Sequence, residues 1–546
     1  MKPIPGVWAR MIRERLTQAI PLGVPRVPSA ATPRLLPPAP APARGWELRD
    51  WLIACGLALL TVLSRLPFRT EMIYAWDGAL FARALRDYNV IPHFPQPPGY
   101  IFYVASARLL QVVTGLGANA AYVAISIAAA AGTVGALYLL GTLIFGRLAG
   151  LLAAMLALTS VSFWFFSEIA YPYTTLALGS TLVATLCWLL RERRLARPPL
   201  AALAFALIAG FRQDLLIFLG PLFAACYVLA VGLRTRAGWR QLALGVIAGL
   251  GGIAVWWVAT DLASQGWGSL WQALTVQSSN VERGTSAFAV GETGLRGNAQ
   301  LLRWFSKDAL HLAVFPALAY AAFWCLRPRR EARRAPFLLA WSLPAMLFYL
   351  LVHIGEAGYV FSFLPAALLA AAAGLVRTAE ALVENLPTKD ERQAWALRIA
   401  IALTLGALVG GYHTWLFVGS GRLVSAERLA CKDMALVQAV ATLGADFPPA
   451  STLIVTSAYL QHLAVYLPHH RQVQFLDPDR DSAWSPSVGI ERVVVFDLEL
   501  VQRFPSRSGW TLLPLACDGR YNLALVPAAG ARFSFDAATF RLELIR

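Results

Sequence analysis

Residues 172–194, PYTTLALGSTLVATLCWLLRERR, decide the fold of this chain. No charge occurs from Pro172 to Leu190, and the run then breaks on Arg191-Glu192-Arg193-Arg194. A hydrocarbon core of roughly 30 Å takes about twenty apolar residues as a helix, so the stretch reads as a membrane span with a basic flank. Working outward, similar runs occupy 51–66, 119–145, 148–166, 199–211, 213–233, 240–260, 309–326, 336–353, 359–376 and 397–418, about eleven in all. With a cytoplasmic N-terminus, the inside loops are arginine-rich: Arg191–Arg194, Arg234–Arg240, Arg327–Arg334 and Arg377–Arg398. The short outside loops Ser167–Tyr171 and His353–Gly358 carry no Lys or Arg, and the turn at Arg212 carries one. Short loops are where this positive-inside asymmetry sets orientation. The pattern predicts an all-α polytopic membrane protein with its tail on the outer face.

Composition agrees. Hydrophobic residues make up 58% and charged residues 14%, against roughly 25% charged in soluble domains. The net charge of +16 falls largely in the inside loops and the N-terminal segment, where topology and anionic lipid account for it. It does not call for nucleic acid. Residues 1–47, rich in Pro, Ala and Arg, lack the apolar stretch of a cleaved signal peptide and predict a disordered cytosolic tail. The transmembrane domain then covers 48–418.

Three outer segments are too long to be turns: 67–118, 261–308 and 419–546. Such loops are usually functional. The last alternates strand-like runs (Thr452–Thr456, Arg492–Phe496, Thr511–Leu515, Leu523–Val526) with helical ones (Glu427–Leu443, Tyr459–Leu467), predicting a small periplasmic α/β domain. In 261–308, amphipathic ends flank polar Ser278-Ser279-Asn280 and Gly284–Gly297. Little burial offsets the ordering entropy there, so the expectation is a lid that is disordered until donor binds. Cys55, Cys187, Cys226 and Cys325 lie in apolar spans as small hydrophobes. Cys431 and Cys517 lie outside, where a pair can oxidise; the sequence leaves a disulfide between them open.

Candidate chemistry sits near the outer ends. Asp77 follows the first span and opens an amphipathic stretch with Leu80, Phe81, Ala84 and Leu85 on one face. Alone it reads as an N-cap or a base. The same loop continues through His93 and Gln96 to Pro97-Pro98-Gly99-Tyr100. Glu168, between Phe163–Phe166 and Tyr171-Pro172-Tyr173, is either a solvated helix-end carboxylate or a partner of Asp77. Arg212 is the outer cation of the briefest loop and a candidate phosphate contact. Asp214, two residues on, is not its neighbour on a helix face and is expected to cap the following span. His353 and Glu356 flank the turn before Tyr359, at the membrane edge, where the cost of an ionisable group fades. No spacing resembles a zinc site, while the Asp77 and Glu168 carboxylates leave a divalent metal open.

Taken in order, these motifs resemble the lipid-phosphate-sugar-dependent glycosyltransferases of the GT-C superfamily. The carriers are the acid-bearing first loop, its Pro-Pro-Gly-Tyr turn, Ser167-Glu168-Ile169-Ala170-Tyr171-Pro172-Tyr173, Gly210-Phe211-Arg212-Gln213-Asp214, and Gly358-Tyr359 with Leu364-Pro365. Similar bacterial members are the protein O-mannosyltransferase-like and aminoarabinose-transferase-like enzymes. The resemblance covers about 50–376. It implies an inverting transferase that moves a sugar from a polyprenyl-phosphate carrier to an exported lipid, glycan or protein, on the periplasmic face of a bacterial inner membrane. Asp77 would be the base with Glu168 second. His93, Gln96, Tyr100, Tyr171, Arg212, His353, Glu356 and Tyr359 would hold substrate. Two departures stand out: Gly78 follows Asp77 where relatives often carry a second acid, and Gln96 stands where some carry Lys. Because polyprenyl phosphate is a good leaving group, one carboxylate suffices as a base, contributing ~10²–10⁴-fold, whereas glycoside hydrolysis needs two. A flippase or transporter predicts charged or broken helices at mid-membrane, whereas these spans keep ionisable groups at their ends. A glycan polymerase or ligase would also use a large outer loop.

Overall fold

The computed structural model describes residues 45–384, 386–422, 424–456, 458–474, 489–496, 511–517, 520–527, 532–536 and 541–545. The tail expected over 1–47 lies outside them as far as residue 44. Each apolar run forms a helix. Helix α1 (Leu48–Arg65) leads through a 3-10 turn to the first long loop, which holds α2 (Trp76–Ala84) and α3 (Ile101–Thr114). Then come α4 (Ala118–Phe145), α5 (Arg147–Thr159), α6 (Val161–Ser167), α7 (Tyr173–Arg191), α8 (Pro198–Ala209), α9 (Asp214–Val231) and α10 (Arg236–Ala263). The second long segment carries α11 (Ser269–Thr285), α12 (Ala287–Val290) and α13 (Glu292–Leu310). Helices α14 (Val314–Leu326), α15 (Ala335–Leu351), α16 (Leu364–Glu384) and α17 (Glu391–Gly419) complete the bundle.

Among the described residues, 8 helices are long and apolar enough to cross a membrane, and α5 with α6 adds one across a 61° bend. The bend falls at Ser160, whose Oγ donates to Ala309 O at 2.7 Å. The two remaining expected spans are short, α8 with 12 residues and α15 with 17. Expected span 359–376 starts later than hydropathy implied, since Ala357–Ser362 is a 3-10 turn. Pro365 has no N–H to give a helix interior but fits a first turn, so α16 begins at Leu364.

Helices α4 and α7 form the centre, with 72% of their apolar windows buried against 17% for α10. Small residues let backbones close in, as in other membrane bundles. A Cβ added to Gly150 of α5 would lie 2.6 Å from Tyr138 O of α4. Helix α8 packs on α10, α7 on α9, and α14 on α16.

The segment 261–308 departs from expectation: it is helical rather than disordered. Its order comes from satisfied helix ends more than from burial. Asp261 Oδ1 accepts from Leu270 N–H at 2.8 Å and Oδ2 from Gly268 N–H at 3.2 Å. Ser286 Oγ caps α12 through Phe288 N–H at 3.2 Å. Thr285 Oγ1 donates to Val352 O at 3.1 Å, and Asn298 Nδ2 to Thr285 O at 3.0 Å.

Beyond α17 the chain folds as α18 (Ala426–Asp446), β1 (Thr452–Thr456), α19 (Leu460–Tyr466), β2 (Arg471–Gln474), β3 (Arg492–Val495), β4 (Thr511–Pro514) and β5 (Asn522–Pro527). The sheet order is β2-β1-β3-β5-β4. Strand β1 is parallel to β2 and β3, with Ile454 opposite Gln472 and Val494. Strand β5 is antiparallel to β3 and β4. Strands β6 (Arg532–Asp536) and β7 (Arg541–Ile545) form a separate antiparallel pair. Cys431 of α18 and Cys517 are joined by a disulfide, Cα to Cα 5.7 Å, which answers the point left open by the sequence.

Candidate active site

The first long loop is stitched to the turn after α6. Thr70 N–H and Oγ1 donate to Glu168 O at 3.1 and 3.0 Å. Asn119 Nδ2 donates to Thr70 O at 2.8 Å, and Ser126 Oγ reaches Ile169 O and Tyr171 O. This seam explains Gly78. A Cβ there would lie 2.9 Å from Ile73 Cγ2 and 3.1 Å from Ala170 O, so a second acid at this position would be crowded.

Asp77 lies in the first turn of α2, but the N-cap position belongs to Ala75. Its carboxylate turns across the loop instead. Gln96 Nε2 donates to Asp77 Oδ2 at 2.6 Å, and the neighbouring Tyr171 hydroxyl also favours the charged carboxylate. Burial pushes the Asp77 carboxyl above its ordinary range, opposed by those two groups and by the Arg212 charge.

Arg212 is buried in the turn between α8 and α9. Its Nη2 and Nε donate to Asp214 at 2.7 and 3.3 Å. The expectation that Asp214 would merely cap the helix is corrected. Arg212 is not on that helix, so the helical i,i+2 geometry does not separate the two. Three tyrosine rings surround the guanidinium, Tyr173 at 5.0 Å, Tyr100 at 5.3 Å and Tyr359 at 5.6 Å. Gly358 makes this closeness possible, because a Cβ there would run into the Tyr173 ring. Tyr349 OH donates to Ser362 Oγ at 3.2 Å, which donates to Tyr359 O at 3.1 Å.

His353 shares a 3.0 Å hydrogen bond with Thr285 Oγ1 through Nδ1, tying the Tyr359 turn to α11. Burial pulls its imidazole below the ordinary range. Glu356 keeps solvent contact yet stands in a crowded hollow. The surrounding protein and then the like charge of Asp77 push it up to about 7, against the pull of Lys432.

A cavity of about 520 Å³ lies on the Arg212 and His353 side of this region. Its floor is Pro97, Pro98, Tyr100, Arg212, Asp214 and Tyr359. Ile217, Phe218, Phe348 and Val352 of the bundle form an apolar wall, and Leu274, Gln277, Val281, Glu282 and Phe288 roof it.

Of the expected residues, Asp77, Gln96, Tyr100, Tyr171, Arg212, His353, Glu356 and Tyr359 thus gather in one region. Two do not. His93 sits at a turn, its backbone N–H donating to Val90 O at 3.3 Å. Glu168 is fully buried and faces the charges of Arg65 and Arg69; burial raises its carboxyl well above the ordinary range. Among the described residues no three or more His, Cys, Asp or Glu are grouped to hold a metal ion. Sequence reading missed Asp214 as the partner of Arg212, and Lys432, which arrives from α18 with no local signal.

No family model and no curated protein matches the sequence. The fold has likenesses among solved structures of other proteins. In particular it is similar to the crystal structure of ArnT from Cupriavidus metallidurans bound to undecaprenyl phosphate: TM-score 0.52 at 14% identity, over 88% of this chain and 98% of that one. The apo form of the same protein gives 0.48. The cryo-EM structure of arabinosyltransferase EmbB from Mycobacterium smegmatis gives 0.38 at 14% identity, over 94% of this chain and 48% of that one. At such identities the likeness speaks for the fold alone.

Proposed function

We infer that this chain is an inverting glycosyltransferase. It takes a sugar from a polyprenyl-phosphate carrier and passes it to an exported lipid, glycan or protein at the periplasmic face. One observation carries the reading: a carboxylate held by Gln96 stands within charge reach of a caged arginine, and that arginine lines a cavity with one apolar membrane-helix wall. The wall suits an isoprenoid chain, and Arg212 with its tyrosines suits the phosphate. That the similar ArnT structure holds undecaprenyl phosphate supports the same donor class.

The residues then divide the chemistry. Asp77 takes the proton of the acceptor hydroxyl as its oxygen attacks the anomeric carbon opposite the phosphate. The bond from that carbon to the phosphate oxygen breaks, and its electron pair leaves with the polyprenyl phosphate. Arg212 steadies the growing phosphate charge, a form of stabilisation that is strong in a water-poor site. Asp77 later gives its proton to water. A carboxyl raised by burial is a better base near neutral pH, and its Gln96 donor fixes its direction. The disulfide suits an oxidising compartment, which supports an outer placement of the site.

Mass spectrometry of the lipid that copurifies with the full chain tests the reading. A polyprenyl monophosphate, free or sugar-linked, is expected. Recovery of lipid-linked oligosaccharide alone would favour a flippase or ligase and overturn it.

A further inference from the structure

Helix α18 reaches the catalytic loop through two adjacent residues. Asp433 accepts from both Glu71 N–H, at Oδ2, and Met72 N–H, at Oδ1, each at 2.8 Å. Tyr466 OH accepts from Ile73 N–H at 2.9 Å. Lys432 Nζ lies 4.2 Å from the Tyr74 ring centroid and 5.6 Å from that of Tyr459. The backbone from residue 71 to 73, which leads directly into Asp77, is therefore held by the C-terminal region and not by the bundle alone. Helix α19 adds apolar support, with Val465 and Tyr466 packed against Ile73, Ala79 and Ala82. The neighbouring Cys431–Cys517 disulfide ties this part of α18 to the sheet, so the two side chains have a rigid base.

We propose that Asp433 is a positioning residue of the active site, aiming the loop that carries Asp77. The proposal rests on the transferase reading of the same site. A clamp that only glued two halves together would have no reason to grip successive backbone amides just before the base. Charge-assisted bonds to two such amides are among the stronger ones available, and small misplacements of a reacting group are costly.

The test uses the full chain in nanodiscs. Backbone hydrogen exchange is read at 71–73, and turnover is followed on a panel of undecaprenyl-phosphate-linked pentoses and hexoses. Asp433→Ala is expected to speed exchange at residues 71 and 72 about 10-fold or more. It should slow turnover by about 10²-fold, with affinity for undecaprenyl phosphate unchanged. Asp433→Asn, which keeps one acceptor, should lie between. Unchanged exchange in Asp433→Ala and Asp433→Asn overturns the proposal. Wild type that turns over none of the panel while exchange still responds overturns the transferase reading and leaves the clamp standing.

Discussion

Gln96 donates through Nε2 to Oδ2 of Asp77 at 2.6 Å, so its amide serves the carboxylate. That bond favours the charged form of a group that burial pushes the other way. Gln96→Leu removes the donor and keeps the bulk. The Asp77 carboxyl should then rise further, and the rate limb that climbs with pH should shift to higher pH. Gln96→Lys should shift it to lower pH. Superimposable profiles for both variants and wild type would contradict the assignment.

Arg212 gives its fork to Asp214 while caged by tyrosines. Removing one partner of a buried pair leaves an uncompensated charge, so Arg212 is best tested alongside Asp214→Asn. The double variant Arg212→Met with Asp214→Asn should fold yet bind undecaprenyl phosphate at least about 10-fold more weakly. Arg212→Lys should lie between, since an ammonium keeps the charge but loses the planar fork. Wild-type affinity in the double variant, measured by calorimetry, would remove Arg212 from the phosphate site.

Glu356, raised from the ordinary 4.5 to about 7, gives the folded protein a proton that the unfolded chain has already released in that window. Its contribution to stability is thus full below the unfolded value and lost as pH rises through 7. The thermal midpoint should fall from about pH 5 to about pH 8, and Glu356→Gln should flatten that fall. An equally steep fall in the variant would show that other groups are responsible.

Arginine in alternate loops leads to the expectation that the tail lies outside, and a Cys431–Cys517 disulfide suits such a compartment. A reporter active only in the periplasm, fused after Arg546, should be active. Activity confined to a cytoplasm-dependent reporter would invert the topology and the face assigned to the site.

The bundle was legible because burial in lipid imposes one rule along the chain, visible in runs such as 172–190. Asp77, Tyr171, Arg212 and Tyr359 could be grouped from the sequence because the arginine pattern assigns their loops to one membrane side. Asp214 was misread because a helix-face rule was applied to Arg212, which lies in a turn. The order of α11 was missed because burial was weighed while end capping by Asp261 and Ser286 was not. Lys432 and Asp433 leave no local trace: α18 reads as an ordinary amphipathic helix, and only tertiary docking brings them to residues 71–74.

The central claim is that Asp77 is the base, and Asp77→Asn tests it most directly. Asparagine keeps the size and can still accept a hydrogen bond from Gln96, but its amide cannot take a proton. Transfer from an undecaprenyl-phosphate-linked sugar that wild type uses is measured in purified protein, alongside binding of undecaprenyl phosphate. The account predicts turnover reduced by ~10²-fold or more with binding retained. Turnover within a few-fold of wild type would contradict it.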